Sequence, residues 1–197
     1  MFAATLPLPL SLYGDTITFR ADRVTGSKAT GMEITELFGN AEAKSDDLYI
    51  QAEKIIIQGS DNRFLDCTGN VRGRDEEKDL HFRTDRLRYD RVLKIIRFEG
   101  NNILEDRKNE LVVRSRFIEY DQDQELIILQ ISVRLFKDDL VCRSEYAVYR
   151  RNEKILNLSG YPVVYKKEDE FRADRIRVDL DTDDVIMDGG VKGSIRN

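Results

Sequence analysis

The chain has 197 residues, 41% of them hydrophobic and 35% charged, with a net charge of −5. That supplies enough apolar material for a sizeable core, and the charges interleave with it instead of forming blocks, a composition unfavourable for disorder. A negative chain without a basic cluster argues against a nucleic-acid partner.

From the N-terminus, residues 2–12 (FAATLPLPLSL) are apolar. The segment is too short to span a bilayer, which takes ~20 residues. It resembles the tail of an export signal, although the basic start of such a signal is missing; an apolar arm on the first repeat is the other reading. Residues 1–14 are therefore set apart from a single repeat-built domain over 15–197.

Two motifs then return in step. The first is an apolar residue, arginine, a small residue and an acid: Phe19-Arg20-Ala21-Asp22, Ile50-Gln51-Ala52-Glu53, Phe82-Arg83-Thr84-Asp85, Val113-Arg114-Ser115-Arg116, Cys142-Arg143-Ser144-Glu145 and Phe171-Arg172-Ala173-Asp174. The second is an apolar segment ending at glycine, usually followed by asparagine, around Gly39, Gly69, Gly100, Gly160 and Gly189, with Ile131 in the fourth copy. Six copies about thirty residues apart predict a stacked array with one supersecondary unit per repeat. Apolar and polar residues alternate with period two and no helical stripe is present, so the array is all-β. Turns are predicted in charged stretches such as 74–79 and 105–110.

Parity sorts the ladders. Two places before the glycine stand Leu37, Cys67, Phe98, Leu129, Leu158 and Met187; four places before it stand Thr35, Leu65, Ile96, Ile127, Leu156 and Val185. Both sets are predicted to face inward. So is the small ladder Ala21, Ala52, Thr84, Ser115, Ser144 and Ala173, which would leave room inside. The arginines at 20, 83, 114, 143 and 172 face outward, as a solvated row paired with nearby carboxylates or as a contact for an anionic partner. The glycines are expected at positive φ, with the acids Asp22, Glu53, Asp85, Glu145 and Asp174 accepting backbone N–H groups at a kink. Cys67 and Cys142 stand at non-equivalent places three repeats apart and are predicted to be buried and unpaired.

No catalytic set, metal cluster or phosphate loop can be assembled around the single histidine, His81, so neither an enzyme nor a cofactor is expected.

Phe171-Arg172-Ala173-Asp174-Arg175-Ile176-Arg177-Val178-Asp179 followed by Val185-Ile186-Met187-Asp188-Gly189-Gly190-Val191-Lys192-Gly193 resembles the OstA/LptA-like family of lipopolysaccharide-transport proteins, as do 82–90 followed by 96–102. The resemblance runs over 15–197, with copy four departing at Arg116 and Ile131-Ser132. It implies a twisted antiparallel β-jelly roll with an internal hydrophobic groove, lined here by Leu37, Leu65, Ile96, Phe98, Ile127, Leu129, Leu156, Leu158, Val185 and Met187. It also implies a periplasmic protein that carries lipopolysaccharide or a related glycolipid along a bridge from inner to outer membrane. Partners would be the membrane components at either end and further copies head to tail, joined through edge strands. The alternatives are the LptC-like or outer-membrane component of the same system, or a β-scaffold that binds no lipid.

Overall fold

The computed structural model describes residues 16–29 and 32–195; the apolar segment 1–14 lies outside them. The sixteen strands among the described residues are β1 (Ile17–Arg20), β2 (Arg23–Ala29), β3 (Met32–Ser45), β4 (Leu48–Gln58), β5 (Phe64–Asp75), β6 (Leu80–Asp90), β7 (Ile95–Asp106), β8 (Leu111–Asp121), β9 (Leu126–Lys137), β10 (Leu140–Arg150), β11 (Ile155–Ser159), β12 (Val163–Lys166), β13 (Asp169–Arg172), β14 (Arg175–Asp179), β15 (Val185–Asp188) and β16 (Lys192–Ser194). From β3 to β11 each strand pairs antiparallel with the next, as short turns between alternating segments require.

Each long strand is interrupted near its middle. Register shifts fall between Phe38 and Ala41, Thr68 and Val71, Arg83 and Arg86, and Glu99 and Asn102. At both ends of the sheet the shift becomes a full break, separating β1 from β2, β11 from β12, β13 from β14 and β15 from β16. The interruptions line up as a corner on which the sheet bends into two walls. That the walls face each other is shown by Phe82 and Phe98, one from each, whose rings meet edge to face with centroids 5.0 Å apart. The architecture is the expected twisted antiparallel β-jelly roll, wound from one continuous sheet.

The glycines make the corner. Gly39, Gly69, Gly100, Gly160 and Gly189 all have positive φ, from 71° to 103°. At Gly100 a Cβ would also collide with the Asp85 carboxylate from the neighbouring strand. The acids act as expected: Asp85 accepts the backbone N–H of Asn101 at 2.9 Å, and Glu145 that of Ser132 at 3.0 Å. The small ladder has a structural task that parity did not reveal. The hydroxyls of Ser115 and Ser144 donate to the carbonyls of Phe117 and Tyr146 across the bulge, and both side chains are buried. They knit the corner instead of leaving room beneath it.

Candidate functional site

Two apolar rows run the length of the interior, one per wall. Following the pairing across successive strands, the first reads Val24, Leu37, Ile55, Cys67, Leu87, Phe98, Ile118, Leu129, Ala147, Leu158, Ile176, Met187. The second begins Phe19, Ala43, Ile50, Gly73, Phe82, Leu104 and continues through Val113, Leu135, Cys142, Val164 and Phe171 to Gly193. Neither contains a polar side chain. Eleven strand-to-strand steps of about 4.8 Å make the column roughly 50 Å long.

Eight of the ten predicted lining residues, Leu37, Leu65, Ile96, Phe98, Ile127, Leu129, Leu156 and Leu158, are at most 2% exposed. Val185 and Met187 are half-buried. The interior is thus closed and filled by its own side chains through the middle, and opens at its two ends. Phe19 and Val24, the N-terminal members of the two rows, are 48% and 47% exposed. Both cysteines are buried and unpaired, and burial pushes the Cys142 thiol up to about 12.

Opposite the corner the two rows of turns meet along a seam, which the repeat analysis missed. Arg91 Nε donates to Ser45 Oγ at 3.0 Å, Gln122 Nε2 to Asp75 at 3.0 Å, and Arg151 Nε to Asp106 at 2.8 Å. Ser45, Asp75 and Asp106 each close a strand of one wall, 30 and 31 residues apart, while Arg91, Gln122 and Arg151 each open a turn of the other, 31 and 29 apart. Their phase relation was the available signal.

The third rung is the strongest. Arg151 and Asp106 are almost wholly buried, and Arg151 also reaches Glu125 at 2.7 Å and the carbonyl of Lys78. Asp106 further accepts the Tyr149 hydroxyl at 3.0 Å and the Asn109 amide at 2.8 Å. Burial alone would lower the arginine's proton affinity, but the hydrogen bonds to Asp106 and Glu125 outweigh it and hold Arg151 above its ordinary value. The second rung is looser: Tyr120 Oη and Gln122 Oε1 are buried without a hydrogen-bond partner.

The outward arginines divide. Arg20 and Arg172 pair with Glu42 and Glu170 as expected of a solvated face. Arg114 and Arg143 instead lie over the rings of Phe136 and Tyr165, at 5.6 and 5.3 Å. His81 is the second residue of β6, near its loop end, partly exposed and 3.5 Å from Asp79. Among the described residues no group of three or more His, Cys, Asp or Glu is placed to hold a metal ion.

Comparison with known proteins gives two findings. A family model described as OstA-like protein matches residues 15–174. The crystal structure of LptH, the LptA-homologous periplasmic component of the conserved lipopolysaccharide transport device from Pseudomonas aeruginosa, aligns over 93% of this chain and 96% of that one, at 8% identity and a TM-score of 0.28. No curated protein matches the sequence.

Proposed function

We propose that this chain, which belongs to the OstA-like protein family, is a periplasmic carrier in lipopolysaccharide transport that holds the acyl chains of a glycolipid between its two walls. The observation that carries this reading is the pair of facing apolar rows, unbroken over twelve strand positions and open at both ends. Each CH₂ taken from water contributes about 0.8 kcal/mol. Because the apolar lining repeats from strand to strand, an acyl chain would gain a similar amount at each successive position, so it could advance without a deep trap.

Entry follows from exposure. An acyl chain would first meet Phe19 and Val24 at one end, or Val185 and Met187 at the other, where the column is already partly open. Going further requires the walls to part at the seam while the corner holds. In this reading Leu37, Leu65, Ile96, Phe98, Ile127, Leu129, Leu156 and Leu158 form the path that opens. The edges that β1 and β15 present among the described strands would join the carrier to its membrane-bound partners and to further copies.

Photo-crosslinking side chains at Phe19, Leu129 and Met187, with Arg88 and Arg97 as outward controls, test the path. Lipopolysaccharide should be captured at the inward positions several-fold above the controls. Equal or absent capture at the inward positions would overturn the reading.

A further inference from the structure

One row on the outer face gathers like charges. Through the register it reads Arg72 on β5, Arg83 on β6, Ile103 on β7, Arg114 on β8, Arg134 on β9 and Arg143 on β10. Five arginines thus occupy six adjacent strands of a chain with net charge −5. All five are exposed, and among the described residues none is ion-paired. Like charges directly opposite one another destabilise a sheet, so the row runs against folding. The outer face of the other wall behaves in the usual way, with Arg88 near Asp66, Arg97 on Glu119 and Lys54 on Glu36.

The row passes the irregular fourth copy, and the irregularity is chemically consistent. Where other copies place an acid at the corner, this one has Arg116, and where they place glycine, followed by asparagine in the first three, it has Ile131-Ser132. A depression of about 420 Å³ opens there, lined by Arg114, Arg116, Arg134, Asn101, Ser115 and Ser132 among others, with no carboxylate in its wall. Arg116 is anchored by one N–H on Asn101 Oδ1 at 2.6 Å and keeps its other donors. The carboxylate from the next strand, Glu145, is engaged by the Ser132 backbone N–H. Stacking of Arg114 on Phe136 steadies that guanidinium by its face and leaves its N–H edge available.

We propose that this depression is a binding site for a phosphomonoester, with Arg114, Arg116 and Arg134 as its donors. Three guanidinium-bearing side chains suit a dianion with three terminal oxygens better than a single carboxylate. The site stands on the outer face and does not depend on what the interior holds.

The test follows the arginine Nε–Hε signals of the full chain by NMR, with sodium chloride at matched ionic strength as the reference. Inorganic phosphate is one probe; an acylated disaccharide phosphate in detergent, beside its dephosphorylated counterpart, is the other. The signals of Arg114, Arg116 and Arg134 should shift and saturate while those of Arg88 and Arg97 stay in place. Saturation by inorganic phosphate identifies the free anion as sufficient; a response to the phosphorylated glycolipid alone identifies a lipid headgroup as the source. The double variant Arg114→Gln/Arg134→Gln should weaken binding at least ten-fold. So should Arg116→Asp/Ile131→Gly/Ser132→Asn, which restores the regular corner and guards against a folding artefact. No response to either probe, or equal movement of Arg88 and Arg97, would overturn the site. The phosphate arm contains no acyl chain, so failed capture in the interior would leave it standing.

Discussion

The folded sheet has two long edges, a corner and a seam, and they are held by opposite means. At the corner, asparagine amides and backbone N–H groups donate to exposed carboxylates 13 to 18 residues away, from Asn40 on Asp22 to the Ser132 N–H on Glu145. At the seam, side chains from opposite walls meet across 45 to 47 residues, and the strongest rung is buried. Corner ties form within one pair of strands and can appear as each hairpin forms. Seam ties require several strands to be in place and the walls to have closed. On the proposed function, a hinge built locally and a clasp built globally would let the walls separate without the sheet losing its register.

The largest expected effect lies at the clasp. Arg151→Leu leaves Asp106 buried without its cation and Glu125 with Lys78 alone, and removing one partner of such a buried pair costs about 3–5 kcal/mol. Urea denaturation should show that loss, whereas Arg97→Leu, which breaks a half-exposed surface pair on Glu119, should cost about 1 kcal/mol or less. Equal losses would mean that the seam is no more closely held than the surface.

The corner should respond less and in two directions. Gly100→Ala places a Cβ against Asp85 at φ 103°, with an expected cost of about 1–3 kcal/mol. In copy four the side chain Ile131 already sits at φ 65° and is more than half exposed, so Ile131→Gly should stabilise by about 1 kcal/mol. The two thermal midpoints should move apart. If both fall, the fourth corner is as well fitted as the others.

This contrast also explains what the sequence could reveal. Corner residues repeat as types, so Gly39, Gly69 and Gly100 announce themselves, and their partners Asp22, Glu53 and Asp85 lie within the same repeat. Alternation placed Leu37, Leu65, Ile96, Phe98, Ile127, Leu129, Leu156 and Leu158 inside with no help from the fold. The seam joins non-equivalent positions one and a half repeats apart, and its rungs differ in chemistry: serine with arginine, aspartate with glutamine, aspartate with arginine. Aligning equivalents with equivalents cannot show such contacts. One of its two rows of turns was hidden as well, since Val92 and Leu93 give Arg91–Lys94 an apolar look. The arginine row was half visible. Arg83, Arg114 and Arg143 belong to the recurring motif, but Arg72 and Arg134 come from the intervening strands, and only the register interleaves them.

The smallest effect concerns a tie intermediate between the two kinds. Asp90 sits where β6 enters a seam-side turn, yet its partners are as local as hairpins allow. It accepts Arg63 Nε at 2.9 Å and Nη2 at 2.7 Å, and the N–H groups of Val92 and Leu93 at 3.1 Å each. The Arg63 hydrogen bonds, and then those turn N–H groups, outweigh its burial and hold the carboxyl below its ordinary value. Its folded pKa is therefore the lower one, so its stabilisation is complete above the unfolded carboxylate value near 4 and fades as pH falls through the folded value. Arg63 is about a third exposed, so solvent screens the pair and the expected contribution at neutral pH is only about 1 kcal/mol. Asp90→Asn should lower stability by that amount at pH 7, with the gap to wild type closing below about pH 4. A gap that stays constant down to pH 2 would show that the side chain acts through shape and turn hydrogen bonds, which asparagine keeps in part, and not through charge.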